Sequence, residues 1–271
     1  MTAVDTRSQV GALIRKDLRA VRRSKAIVWP MVIVPSFLLV ALPAGMAWFA
    51  RSQPSPDLST LLDRLPGNLG RGIAGLPARE QMLVLVNGHL LLPLFIVVPL
   101  MVSAVLAADA FAGEKERRTL ETLLHLPIDE SRLYVAKLLV AFVPSIALSW
   151  IGFVAFALVS NIIAWPVMHR VFVPTGGWLV VIGWVTPAVG ALGLGIMVRI
   201  SSRSETTQEA NQLGGAVIMP LIIASVGQAT GLLLIDAAAV WAIGAVIWLA
   251  AFWLIRGGMR RFTRDSVASR L

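Results

Sequence analysis

Six stretches of this chain carry no Asp, Glu, Lys or Arg over lengths that few soluble folds can bury: 26–50, 81–108, 138–169, 171–198, 210–235 and 237–255. A helix needs about 20 apolar residues to cross roughly 30 Å of hydrocarbon, and each run is near or above that length. Only helices or closed barrels satisfy every backbone group inside lipid, and runs this long are helical. The predicted fold is therefore an all-α integral membrane protein. Its six transmembrane helices fall at about 26–50, 82–108, 138–161, 176–198, 211–230 and 237–255. They form one membrane-spanning unit over 26–255, preceded by a basic helix over 1–25 and followed by a basic tail over 256–271. Composition agrees, with 57% hydrophobic and 14% charged residues against about 25% charged in ordinary globular domains.

Charge orients the bundle. Of the 24 Lys and Arg residues, Arg51, Arg64, Arg71, Arg79 and Arg170 fall in one set of alternate loops, and all others fall in the opposite set or at the ends. By the positive-inside rule both termini and the 109–137 connection are predicted to be cytoplasmic. The net charge of +9 is accounted for by this bias, so no nucleic-acid partner is implied. The absence of cysteine excludes a disulfide framework and a thiolate metal site.

Within the leader, Val10, Leu13, Ile14, Leu18 and Val21 recur at helical spacing among Arg15, Lys16, Arg19, Arg22 and Arg23. The pattern predicts an amphipathic helix along the headgroups, with membrane lipid as its partner. A signal peptide is disfavoured, because its apolar region runs about 7–15 residues and 26–50 is much longer. Between the first two runs, Leu58, Leu61, Leu62 and Leu65 predict one short outer helix ending at Pro66-Gly67. Asn87 and His89 are polar at membrane depth, where a substrate or ion role is one reading; helix-packing hydrogen bonds are the expected one. Gly190, Gly193 and Gly195 predict close helix approach. The Ser/Thr cluster of 199–208 suits a helix cap or contact with a cytoplasmic partner, the cap being favoured, and turn residues over 227–236 predict a break in the fifth span.

One stretch stands apart. Between Phe111 and Lys137 lie Glu114, Lys115, Glu116, Arg117, Arg118, Glu121, Asp129, Glu130 and Arg132. Gly113 is expected to let the chain turn along the membrane surface. Glu114–Leu124 then reads as a helix with i,i+4 pairs Glu114–Arg118 and Arg117–Glu121, stopped by Pro127. Asp129 caps the next helix, and Arg132 and Lys137 are expected at the headgroups. Leucines and charges of both signs on one short helix suit docking into a protein groove.

The segment Phe111-Ala-Gly-Glu-Lys-Glu-Arg-Arg-Thr-Leu-Glu-Thr-Leu-Leu-His-Leu-Pro127, followed by Leu133 and Lys137, resembles the signature of the ABC transporter type-2 permease family of bacterial exporters. Glu114, Glu116, Thr119, Leu120, Glu121 and Pro127 match motif positions, while Arg118 stands where a glycine is common. The resemblance implies that 111–127 is a coupling helix touching a separate ATP-binding subunit, with Glu114, Glu116, Arg117, Thr119, Leu120 and Glu121 as contacts. It further implies two such subunits, a second permease copy or homologue, a bacterial cytoplasmic membrane, and ATP and Mg bound on the partner. The chain itself carries no Gly-Lys pair for a phosphate loop, no HExxH and no Gly-x-Ser, so no catalytic residue is predicted. The alternatives are a stand-alone channel or secondary transporter, or a membrane anchor for a cytoplasmic partner. Substrate-binding residues are not legible.

Overall fold

The computed structural model describes residues 6–52, 58, 62, 73–117, 129–174, 176–232 and 237–259, and among these there are helices and no strands. In chain order we label α1 (Thr6–Arg23), α2 (Ile27–Ser52), α3 (Ala78–Glu116), α4 (Glu130–Met168), α5 (Gly177–Ser201), α6 (Thr207–Leu232) and α7 (Ala237–Met259).

Five of these helices, α2, α3, α4, α5 and α7, are long and apolar enough to cross a membrane among the described residues. The fifth expected span, 211–230, falls on α6, a single helix of 26 residues whose side chains are described only as far as Pro220. It is unbroken from Thr207 to Leu232, so the expected break does not begin at Gly227; residues 233–236 lie outside the described set.

α3 and α4 are longer than the runs that revealed them, 39 residues each, or about 58 Å at 1.5 Å per residue. Both therefore project well beyond a hydrocarbon layer of about 30 Å. α3 is the axis of the fold: 78% of its apolar window is buried, against 67% for α5, 33% for α4 and 17% for α2. A helix apolar all round is a buried helix, and its neighbours reach it through small residues. A Cβ added to Gly193 of α5 would lie 2.7 Å from Ser103 Oγ and 3.0 Å from Leu100 O of α3. One added to Gly195 would lie 2.8 Å from Leu254 Cβ of α7. The glycines expected to allow close approach do so.

Proline shapes α3. The helix loosens into a π-helical stretch over Val86–Leu90, and turns at 91–92 precede Pro93. Pro93 has no N–H to give to the preceding turn. Gly88 O instead accepts the indole N–H of Trp178 at 2.9 Å. Trp178, Phe95, Phe153 and Phe156 pack ring against ring at 5.0–6.4 Å between centroids, which locks α3, α4 and α5 together. Asn87 is fully buried and donates to Ser160 Oγ at 2.9 Å and to Pro43 O at 3.4 Å. Asn87 thus makes helix-packing hydrogen bonds of the kind expected.

At the end opposite the charged segment, Arg170 pairs with Glu80 at 2.6 Å. Leu58 and Leu62 of the connection between α2 and α3 are buried with Ile73 and Leu85; Leu61, Leu65, Pro66 and Gly67 lie outside the described residues. α4 runs on to Met168, so the turn expected from Trp165 starts at His169, whose φ of 48° ends the helix.

α1 departs from a simple interfacial helix. Leu13 is buried against Leu133 and Ala136 of α4, and Val21 joins the main core. The apolar stripe thus faces the protein, leaving Arg15, Lys16, Arg19, Arg22 and Arg23 exposed.

Candidate functional site: a polar layer around the end of α3

The helix ends that meet at the charged segment are α3, α4, α5, α6 and α7. α3 does not turn at Gly113. It passes through a π-helical stretch, Asp109–Gly113, and continues through Glu116. Such single-turn π-helical insertions commonly mark functional sites, and here the wider turn rotates four successive charged side chains toward four different partners.

Asp109 accepts from Arg117 Nη2 at 2.7 Å, clasping the π stretch from both sides. The clasp needs Gly113: a Cβ there would stand 2.9 Å from Asp109 Oδ1 and 3.3 Å from Thr207 Oγ1. The glycine is present for close approach, since its φ of −64° is ordinary for a helix. Glu114 turns inward. It is 8% exposed and Lys137, near the start of α4, is 0% exposed; the two form an ion pair. Lys137 Nζ also donates to Ala110 O at 3.1 Å and stands 6.0 Å from the centre of the Phe111 ring. Lys137 was expected at the headgroups; it is a core residue instead, because a buried charge is tolerated only when paired and hydrogen-bonded.

Lys115 and Glu116 reach the other way, to the α5–α6 turn. Lys115 Nζ donates to Ser204 O at 3.2 Å. Glu116 Oε2 accepts from Thr207 N at 2.9 Å and Thr207 Oγ1 at 2.7 Å. A carboxylate at the first residue of α6 satisfies an orphan N–H and complements the positive helix end. The turn is capped from its own chain as well: Thr206 Oγ1 accepts from Glu209 N at 3.1 Å, and Glu209 Oε2 accepts from Glu205 N at 2.8 Å. The Ser/Thr cluster is a cap, as its composition implied.

α7 is tied in by Tyr134 of α4, whose hydroxyl donates to Ile255 O at 3.1 Å, and by Arg199 of α5, 4.7 Å over Trp253. Asp129 occupies the N-cap position of α4, but its carboxylate makes no cap bond to a backbone N–H and accepts from Ser131 Oγ.

Among the residues singled out in the sequence, Glu114, Glu116 and Arg117 are thus gathered at one end of α3, each engaged inside the chain. Thr119, Leu120 and Glu121, with Arg118 and Pro127, lie outside the described residues, as do the partners of the two expected i,i+4 pairs. Asp109 joins them through Arg117, and Lys137, already noted after the motif, through Glu114. Each borders an uncharged run, where an unpaired charge is costly, but the partner of Lys137 is set only by the fold.

Beside this layer lies a cavity of about 710 Å³ between α2, α3 and α6. Ile27, Met31 and Val34 of α2 face Met101 and Val105 of α3 across its apolar part, and its polar end is lined by Asp109, Glu116, Arg117 and Thr207.

The helical architecture, the long apolar helices and the polar layer at one end define a multi-pass membrane protein whose helix ends meet at the end of α3. A family model described as ABC-2 family transporter protein matches residues 71–207, just over half of the chain, and the chain belongs to that family. The match runs from ahead of α3 to the first residue of α6, so it contains the ion pair of Glu114 with Lys137 and the contact of Glu116 with Thr207. Membership makes the chain a membrane subunit of an ABC transporter rather than its ATPase, associated with an ATP-binding subunit. No curated protein matches the chain.

Proposed function

We propose that this chain is the permease subunit of an ATP-driven exporter in a bacterial cytoplasmic membrane. The charged end of the bundle and both termini face the cytoplasm. The functional unit is two permease subunits, identical or homologous, with two ATP-binding subunits that bind ATP and Mg. The coupling segment is 111–127. The observation that carries this reading is the fan of contacts from 109–117, through which one short segment holds α4 at Lys137 and the α5–α6 turn at Ser204 and Thr207.

Force applied to residues 118–128 by closure of the ATP-binding pair enters the membrane through that fan. The exposed Arg117, with Thr119, Leu120 and Glu121, contacts the partner in this account, while Glu114 and Glu116 transmit. α3 then moves with α4 and α6, and the bundle switches between two packings biased by nucleotide. Purification with the genomic-neighbour ATP-binding protein tests the reading. Wild-type chain should co-elute with it and raise its ATP turnover, and Leu120→Asp should abolish both. Transport by the purified chain in liposomes without any ATP-binding protein would instead support a secondary carrier.

A further inference from the structure

α3 is buried on nearly every side, yet Met101, Val105 and Asp109 remain only partly buried. They stand at i, i+4 and i+8, one above another on a helix face. That face is the wall of the cavity between α2, α3 and α6. The cavity is apolar for two turns and then ends on a carboxylate. Its size lies within the range of about 300–1,000 Å³ typical of small-molecule sites.

The state of that carboxylate names the ligand. The Asp109 side chain is 13% exposed, and the guanidinium held on it at 2.7 Å belongs to Arg117, whose side chain is 57% exposed. A cation seated on an inward carboxylate by a largely solvated arm is exchangeable, because ion pairs open to water are weak. The same end of the cavity is also lined by Glu116, whose carboxylate is held by Thr207, so two carboxylates and one guanidinium lie at that end. An anionic head would meet both carboxylates, whereas a cationic head replaces the arginine without loss of pairing.

We propose that this cavity takes a single-chain amphiphile with a cationic head, of the alkylammonium class. The ammonium takes the place of Arg117 on Asp109, and the chain lies along Met101, Val105, Ile27 and Met31. Arg117 is then a tethered competitor. This rests on the transport reading for its purpose, though not for the binding itself.

The test uses the full chain with its ATP-binding subunit in nanodiscs of uncharged phosphatidylcholine. A dansyl-labelled dodecylammonium probe is titrated, read by energy transfer from tryptophan, and competed with unlabelled dodecylammonium or dodecyl sulfonate. The ammonium should displace the probe and the sulfonate should not. Asp109→Asn should weaken binding about tenfold, the loss of one charge-assisted contact, and Asp109→Glu should restore it. Arg117→Gln should tighten binding several-fold, a sign that a merely structural role for Arg117 would not produce. Unchanged binding in Asp109→Asn, weaker binding in Arg117→Gln, or equal displacement by sulfonate would each overturn the proposal. If no ATP-binding protein co-purifies yet these shifts appear in the chain alone, the transport reading fails and the cavity assignment stands. If the complex forms and turns over ATP while Asp109→Asn binds normally, the cavity assignment fails alone.

Discussion

Lys137 is wholly enclosed by protein and forms an ion pair with Glu114, which fastens the end of α3 to the start of α4. Breaking one partner of a buried pair leaves an uncompensated charge and costs about 3–5 kcal/mol. Lys137→Met and Glu114→Gln should each lower the thermal midpoint of the detergent-solubilised chain, measured by size-exclusion chromatography after heating. The exchanged pair Glu114→Lys with Lys137→Glu should recover most of the loss. Additive damage in the double variant would mean that the two residues act separately.

Gly113 gives a prediction with the opposite character. An alanine elsewhere in a helix is favourable by up to about 1 kcal/mol relative to glycine, but here its Cβ would press on Asp109 Oδ1 at 2.9 Å. Gly113→Ala should therefore leave the chain folded and assembled while lowering the ATP turnover it stimulates. Assembly and turnover are both read on the purified complex.

Glu116 caps a helix that begins 91 residues later. Glu116→Gln keeps an acceptor but loses the charge facing the helix end, and Glu116→Ala removes the acceptor altogether. Amide hydrogen exchange at Thr207 should accelerate in Glu116→Ala and change less in Glu116→Gln. Equal protection in all three forms would exclude the contact.

The glycines of α5 predict where bulk is not tolerated. Gly193→Val places atoms where Ser103 Oγ and Leu100 O already stand, at 2.7 and 3.0 Å from the first added carbon. Overpacking of this kind costs typically about 1–3 kcal/mol. The heated sample should lose its monodisperse peak earlier than wild type, whereas Gly183→Ala, with open space around its Cβ position, should not.

Much of this molecule is legible in its apolar runs, because a span is a property of consecutive residues. The all-helical class, the place of α2, α3, α4, α5 and α7, and the close approach at Gly193 follow from local pattern. Lys137 does not. A lysine at the end of a span ordinarily extends to the headgroups, and only the fold brings Glu114, 23 positions earlier, to its ammonium. The π-helical stretches are equally hidden, since one residue inserted into a turn leaves an apolar run apolar. That is why Gly113 reads as a bend when it is a point of contact, and why Trp178 gives no sign of the carbonyl that Pro93 leaves open. α1 shows the same limit: its stripe was legible, but whether lipid or α4 covers it is decided by Leu133 and Ala136.

In the proposed transporter the segment following α3 faces the cytoplasm and meets the ATP-binding subunit. The chain has no cysteine, so a single Arg117→Cys or Leu120→Cys substitution carries the only thiol. In intact cells of a suitable host, a membrane-impermeant maleimide should fail to label either position and should label both after lysis. A bifunctional reagent should then join Leu120→Cys to the ATP-binding subunit, with a yield that changes on adding ATP. Labelling in intact cells, or no cross-link in a complex that turns over ATP, would contradict the account.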